Sequence, residues 1–456
     1  MKHFYKFPLF ILFICTLSLM AQQTYVPDDN FETALINMGY DDVLDDYVLT
    51  ANISALTSLS LDNQSISDMT GIEDFGLLEF LYLQDNLLTE IDLAKNVQLK
   101  ELWLNFNQLK SLDLSANVRL VNAVVHANKL TNLITDGAVR LEYLECSENE
   151  LMTIDVSNNI NLMGLVIDMN PMKTIDLVNI VKLHTLSLIG GKITRLDCSA
   201  NKNLENLYCY DGMLNELIVK GAEKLDALDC SGNSLTTLDL SENLQLKELS
   251  CHSNQINSLD LSGLPILTHA WIDNNQFIEL KTDGAIALEQ IDCSNNKIED
   301  LDFSTNVSLN YFNCRDNALK SLNIKNGNNE NIFEMDTRNN PALGCIQVDN
   351  AVYSTSNWNN IDATSSFSED CFYALGVGDE ELNSELLLYP NPSVNHLIFE
   401  CKVPLLSLEV YSYLGQCLME VKDPESEIDI SVLNPGLYVI RIIGENGVTT
   451  RRILKN

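Results

Sequence analysis

The sequence predicts a mainly β protein: a solenoid of about 14 coils with little helix, followed by a small C-terminal β-sandwich. Three observations carry this. From Leu78 to Leu319 the chain repeats itself every 21 residues, the first leucine of each row falling at Leu78, Leu99, Leu120, Leu141, Leu162, Leu183, Leu204, Leu225, Leu246, Leu267, Leu288 and Leu309. A fixed period of this size marks a stacked repeat architecture. Each row opens on apolar residues two apart, as in Leu102 and Leu104, with freely varying neighbours, which is the alternation of a short strand buried on one face. After residue 386 the spacing changes to short strand-like runs separated by Asn, Pro and Gly.

Residues 1–21 read as a secretory signal. Lys2 and Lys6 supply the positive start, Phe7 to Leu19 an apolar run too short to span a bilayer, and Ala21 a residue suited to precede the cut. Cys15 has no small residues ahead of it, which argues against a lipid anchor. No later run is long and apolar enough for a membrane helix, so the mature chain is expected to be exported without a membrane span. The 456 residues carry 28 Lys+Arg against 64 Asp+Glu, a formal net charge of -36. Such a field repels nucleic acid and anionic lipid surfaces, and nucleic-acid partners are excluded on that ground.

Residues 22–55 break the period and are expected to cap the exposed end of the solenoid. Asp28 or Asp29 can cap a helix whose apolar positions Phe31, Ala34, Leu35 and Met38 follow helical spacing. Asp41, Asp42, Asp45 and Asp46 lack the alternating ligands and central glycine of a calcium loop, so no metal is expected there or elsewhere.

The repeat region spans 56–343. One row of 21 cannot bury its apolar face alone, whereas stacked rows share a continuous core. An asparagine recurs at Asn86, Asn107, Asn128, Asn149, Asn170, Asn233, Asn254, Asn275, Asn296, Asn317 and Asn340. Carrying both donor and acceptor, it can satisfy backbone groups where each strand turns away, forming a ladder. Gly191 and Gly212 replace it in two rows, so the middle of the array is expected to be its least uniform part. The rows Leu99-x-x-Leu102-x-Leu104-x-x-Asn107-x-Leu109 and Leu225-x-x-Leu228-x-Cys230-x-x-Asn233-x-Leu235 resemble the leucine-rich repeat family. Second halves such as Leu112-Asp113-Leu114-Ser115-Ala116-Asn117 are similar to a bacterial 21-residue subtype, which implies extended rather than helical structure on the far side of each coil.

Of 12 cysteines, Cys146, Cys209, Cys230, Cys251, Cys293 and Cys314 take the inward position that other rows give to leucine or valine, and Cys198 is inward in a second half. They read as small core residues; a spacing of 21 puts them on neighbouring coils, not around one ion. Cys345 and Cys371 lie after the last row of an exported chain, so a disulfide closing a C-terminal cap (344–375) is expected. The run Cys345-Ile346-Gln347-Val348-Asp349 with Asn357-Trp358 resembles the cap that follows such repeats in secreted proteins. Histidines do not cluster, and no nucleophile elbow, phosphate loop or HExxH is present. No catalytic residue, cofactor or enzymatic activity is expected.

The outward strand positions form three columns along one face. Their aromatic members are Phe80, Tyr82, Trp103 and Tyr143, then Tyr208 and Tyr210, then His269, Trp271 and Tyr311. Acids are interspersed, among them Glu101, Glu145, Asp168, Asp229, Glu248, Asp273, Asp292 and Asp336. Exposed aromatics on a rigid sheet can anchor a protein, peptide or sugar. They can equally be packing against cross-strand neighbours. Both readings stand on the sequence.

Residues 376–385 read as a linker and 386–456 as a small sandwich. Leu388-Tyr389-Pro390-Asn391-Pro392, Val410-Tyr411 with Gly415, and Leu433-x-Pro435-Gly436-Leu437-Tyr438 occur in order, ahead of Arg451, Arg452 and Lys455. Together they resemble the type A sorting domain of the type IX (Por) secretion system. That resemblance implies transport across the outer membrane by the secretion machinery, with Pro390, Asn391, Pro392, Gly415, Gly436 and Tyr438 as the sorting motif. Ser412 departs from the acidic residue usual there, and pairing of Cys401 with Cys417 is left open. The resulting expectation is a secreted or cell-surface repeat protein that binds a protein or peptide in adhesion or recognition. Glycan or nutrient capture is the alternative.

Overall fold

A computed structural model describes residues 22–371, 387–400, 405–412, 417–422, 424, 426–444 and 447–456. The expected signal segment 1–21, the linker 376–385, Gly415 and Cys401 lie outside these residues. The chain divides into two compact units, one ending at Glu369 and one beginning at Asp370.

The period of 21 becomes one strand per coil. A 14-stranded parallel sheet runs from Ser58–Ser60 to Glu334–Asp336. Equivalent positions pair directly, Leu102 lying opposite Leu81 and Ala123. Each strand is three residues long with its middle residue buried, because only that residue and the one following the strand reach the core. The far side of the coils is also extended, as the LDLS pattern implies. Ser111–Asp113 pairs with Asn132–Ile134, Arg195–Asp197 with Glu216–Ile218, and Ser258–Asp260 with Glu279–Lys281, all parallel. Four more strands, ending with Cys345–Gln347 and Ser366–Ser368, close that side.

One apolar core runs from Val26 to Trp358. All seven inward cysteines are fully buried within it, and none is disulfide-bonded. Cys209, Cys230 and Cys251 stack on successive coils, as do Cys293 and Cys314. Their sulfurs fill space that leucine fills elsewhere. The sheet passes through the middle of the array unbroken, Thr185–Ser187 pairing with Asn206–Tyr208 in full register. Loss of uniformity at Gly191 and Gly212 is therefore confined to the turn, where no side chain supplies the asparagine's bonds.

Both ends of this core are covered. Asp28 caps the helix Asp29–Asn37, its Oδ1 accepting the Asn30 and Phe31 amides at 3.0 Å. Its Oδ2 accepts from the Ser67 amide, the Ser67 hydroxyl and the Asp68 amide, which ties the helix to the first coil. Burial raises the Asp28 pKa, but these bonds outweigh it and hold the carboxyl below its usual value. Phe31 stacks on Phe75 at 6.1 Å, covering the leucine core. Met38 faces solvent instead of joining Phe31, Ala34 and Leu35, because the helix ends at Asn37. At the other end Cys345 and Cys371 form a disulfide. Asn350 caps the helix Ala351–Asn357, and Trp358 packs edge-on against Tyr353 and Phe367.

The second unit is two antiparallel sheets. Leu387–Tyr389, His396–Glu400 and Glu427–Asp429 form one; Leu405–Ser412, Cys417–Lys422, Gly436–Gly444 and Gly447–Lys455 form the other. Leu397, Phe399 and Ile428 of the first sheet share a core with Leu408, Val410, Ile440 and Ile442 of the second. Asn391 explains the Pro-Asn-Pro run: its Nδ2 donates to the Arg452 carbonyl and its Oδ1 accepts the Leu454 amide, both at 2.8 Å. It thereby staples the first strand's exit to the last strand. Gly436 opens the long strand that carries Tyr438, whose hydroxyl donates to the Asn434 carbonyl at 2.7 Å.

Candidate ligand-binding face

The face is built by the turn that follows each strand. Asn254 is representative. Its Nδ2 donates to the carbonyls of Cys251 and His252 in its own coil and of Cys230 in the preceding one, while its Oδ1 accepts the Leu235 amide at 2.9 Å. The same bonds recur at Asn86, Asn107, Asn128, Asn149 and Asn170. They recur again at Asn233, Asn275, Asn296, Asn317 and Asn340. Each amide so fixes the spacing of two coils. The residue before each asparagine sits in the left-handed region, with φ of 56° at Phe106, 53° at Glu148 and 51° at Met169. Bulky residues rarely adopt it. The bonds on either side hold them there, and Phe106 and Met169 are left on the surface.

Two further ladders stiffen the far side, and neither was singled out from the sequence. Asn96, Asn117, Asn159, Asn201, Asn243 and Asn306 are fully buried and donate to two carbonyls of the preceding coil, as Asn117 does to Leu93 and Asn96 at 3.1 Å. The aspartate of LDLS accepts the amide two residues on, at 2.8 Å for Asp113 with Ser115 and 3.0 Å for Asp239 with Ser241. The signal was the Leu-Asp-Leu-Ser-x-Asn spacing, in which Asp and Asn recur in many rows but give way in others, as at Ile134 and Ala138 or Lys281 and Ala285.

On this frame the outward residues stand in columns. Trp103, 38% exposed, meets Tyr82 edge-on at 5.6 Å, and the Tyr82 hydroxyl donates to Glu101. Phe80 is half-buried in the neighbouring column. Further along, Trp271 contacts Tyr311 at 5.9 Å and His269 at 6.4 Å, and Tyr311 contacts Phe333 at 6.0 Å. Phe333 is 68% exposed and Phe106 is 51% exposed, 5.1 Å from His126. Both were missed because each lies one residue outside the repeating outward positions.

Tyr143 is placed differently. Its ring lies over Gly164, where an added Cβ would stand 2.6 Å from the ring. Burial, then the nearby Glu145 charge, pushes its hydroxyl up to about 12. Tyr143, Tyr208 and Tyr210 make no ring contact with either aromatic group among the described residues. Trp103 and Trp271 share a column but lie eight strands apart, about 38 Å at the usual strand spacing. The face therefore carries two aromatic stations rather than one patch.

Beside the second station is a depression of about 280 Å³ lined by Ala227, Asp229, Glu248, Ser250, His269 and Trp271. It exists because Ala227 and Ser250 are small where neighbouring coils carry larger residues. Asp273 stands nearby, its carboxyl raised above the usual range by burial and by the Asp292 charge. At the capped end, oxygens of Asp29, Glu32 and Asp46 come within 4.8 Å of one another. Glu32 there accepts the Asp45, Asp46 and Tyr47 amides, so it organises the acidic loop.

Comparison with known proteins agrees with both halves of this architecture. Residues 387–456 match the secretion system C-terminal sorting domain. The functional domain of InlJ from Listeria monocytogenes, described as including a cysteine ladder, superposes with a TM-score of 0.55 at 23% identity, over 96% of this chain and 99% of that one. The internalin InlF of the same organism gives 0.59 at 19% identity, over 70% and 98%. The plant peptide hormone receptor RGFR1, in complex with RGF2, gives 0.52 at 20% identity, over 65% and 51%. No curated protein matches the chain. The fold is that of leucine-rich repeat proteins, and the C-terminal domain is a type IX sorting domain that directs the chain to the cell surface or outside. Among the described residues no helix is long and apolar enough to cross a membrane.

Proposed function

We propose that this exported repeat protein is a non-enzymatic binding module that holds a protein or peptide partner on its 14-stranded face, in adhesion or recognition at the cell surface. The observation that carries the reading is the pair of aromatic stations, Tyr82–Trp103 with Trp103 exposed and the half-buried His269–Trp271–Tyr311, on a sheet locked coil to coil. Rigid aromatics offer large contact area at little entropic cost. Trp103 keeps 38% of its surface exposed when its cross-strand packing is complete, which favours an anchor over a purely structural role. The similarly folded plant receptor binds a peptide hormone. The sorting domain supplies delivery, through contact with the secretion machinery.

Two measurements test this reading. A chain ending at residue 386 should accumulate in the periplasm, and normal appearance outside the cell would end the sorting assignment for this protein. Full-length protein should capture members of a peptide library, with Trp103→Ala and Trp271→Ala together abolishing capture. Capture indifferent to both substitutions would make the aromatics structural. Binding confined to a glycan array would favour the glycan alternative, for which sugar stacking on the same aromatics is the rationale.

A further inference from the structure

The three outward columns differ in charge from the rest of the molecule. One residue before, one after and three after each central strand residue, they run from Ser58, Ser60 and Asp62 to Glu334, Asp336 and Arg338. Among the described residues these columns hold no Lys or Arg until Arg315 and Arg338 in the last two coils. Both of those are already paired, Arg315 with Asp316 at 3.2 Å and Arg338 with Asp336 at 2.5 Å. The described lysines of the repeat lie outside these columns, and some bond acids one coil away, as Lys100 does Glu79, Lys247 Asp226 and Lys320 Glu299. A face with aromatics and acids, whose two arginines are each paired with an acid, is the complement of a basic partner.

Within it one place has the form of a seat. The depression beside Trp271 is lined by that indole-bearing residue and His269, by the acidic Asp229 and Glu248, and by the small Ala227 and Ser250. Register fixes the arrangement: Asp229, Ser250, Trp271 and Asp292 are consecutive members of one column. Asp229 Oδ1 is held by the Ser231 amide at 3.0 Å and by the Ser231 hydroxyl, so that carboxylate is oriented before any partner arrives. A cation over an indole face with carboxylates alongside gains from both the ring quadrupole and charge-assisted hydrogen bonds.

We propose that the depression beside Trp271 receives a cationic side chain, lysine or arginine, of a basic peptide segment lying along the sheet face. This rests on the peptide-binding reading above and names the chemistry of its partner. The test uses full-length protein and a random peptide display library, followed by titration of selected peptides. Selected sequences should be enriched in Arg and Lys. Replacing arginine by citrulline, or lysine by norleucine, should weaken binding about tenfold, and Trp271→Ala or Asp229→Asn should each do the same. Asp176→Asn, which removes one surface charge outside these columns, should leave affinity within about twofold. The inference is overturned if the neutral peptides bind as well while Trp271→Ala still matters; the peptide-binding reading then survives. An equal loss from Asp176→Asn overturns it too, since the attraction would then belong to the net charge and not to the seat. If no selected peptide depends on Trp103 or Trp271, both readings fall.

Discussion

Asn254 Nδ2 lies 3.0 Å from the carbonyl oxygen of Cys230, 24 positions earlier in the chain and one coil away. The same side chain accepts the Leu235 amide, so removing it orphans a donor and acceptors that are buried. Asn254→Ala should destabilise the repeat unit by about 3 kcal/mol, from one or two unsatisfied groups at roughly 1–3 kcal/mol each. Hydrogen exchange at the Leu235 amide should accelerate first. Unchanged protection there would show that the ladder is not what spaces the coils.

Asn243→Ala should cost less. Its Nδ2 bonds the Val219 and Ala222 carbonyls, but its Oδ1 is buried without a hydrogen-bond partner. Loss of that unsatisfied acceptor offsets part of the loss of the two bonds. A urea series on both variants compares them, and a larger cost for Asn243→Ala would contradict the accounting.

Gly137 and Gly284 occupy the same turn in two distant coils, each inside a Thr-Asp-Gly-Ala run. A Cβ added to Gly284 would fall 1.7 Å from the Ser262 carbonyl oxygen, and one on Gly137 would fall 1.7 Å from Ser115 O. The obstacle is backbone, so the coils must separate. Gly284→Ala should cost about 3 kcal/mol, the upper end of overpacking penalties. Gly263→Ala, whose Cβ meets nothing within 4 Å, should be near neutral by the same thermal melt.

These glycines show where the sequence was legible and where it was not. The leucine period fixes register, because a side chain shifted by one position would turn from core to water. Core, strands, caps and sorting domain follow from it. The Thr-Asp-Gly-Ala runs stand where other rows carry Leu-Ser-x-Asn. In space the Thr135 hydroxyl reaches Asn159 Oδ1 at 2.8 Å and the Thr282 hydroxyl reaches Asn306 Oδ1 at 2.9 Å. A threonine in a coil that lacks the asparagine thus satisfies the asparagine of the next. Such compensation lives between rows, which a single row's pattern cannot display. The face was only half legible for the same reason: column membership can be read, but the covering of Gly164 by Tyr143 and the depression beside Trp271 depend on the sizes of neighbours one coil away.

Thiol chemistry separates core from surface. Cys146, Cys198, Cys209, Cys230, Cys251, Cys293 and Cys314 are buried, and burial pushes every one of these thiols up, to about 12 for Cys198. Native protein treated with a maleimide at neutral pH should be modified at the exposed Cys417 and not at these seven until denaturant is added. Rapid native labelling of Cys230 would mean that the coils open locally.

The disulfide should stabilise the end of the solenoid. Cys345 and Cys371 enclose residues 346–370, a loop whose closure is worth about 3 kcal/mol in the chain-entropy account. Cys345→Ser together with Cys371→Ser should therefore lower the melting temperature of the repeat unit and raise exchange around Ala351–Asn357. A melt equal to that of the parent would show that packing of Trp358 on Phe367 holds the cap unaided.

Acid should loosen the far side of the coils before the ligand face. Asp113, Asp197, Asp239 and Asp260 each accept from the serine two residues on, and those hydrogen bonds hold the carboxyls below the usual 3.8. An acid with a depressed folded pKa binds fewer protons folded than unfolded, so its stabilisation is present above pH 3.8 and disappears as pH falls through the folded value. Asp273 has the opposite sign: burial and the Asp292 charge raise it, so its ionised form opposes folding at neutral pH and protonation relieves that strain. Asp273→Asn should therefore stabilise the protein at neutral pH and lose that advantage in acid. Asp113→Asn, which keeps an acceptor but removes the charge, should flatten the acid limb of the stability profile. Urea midpoints measured from neutral pH to about pH 2.5 would show both trends. An Asp273→Asn variant less stable than the parent at neutral pH would mean that this carboxylate is compensated by a partner.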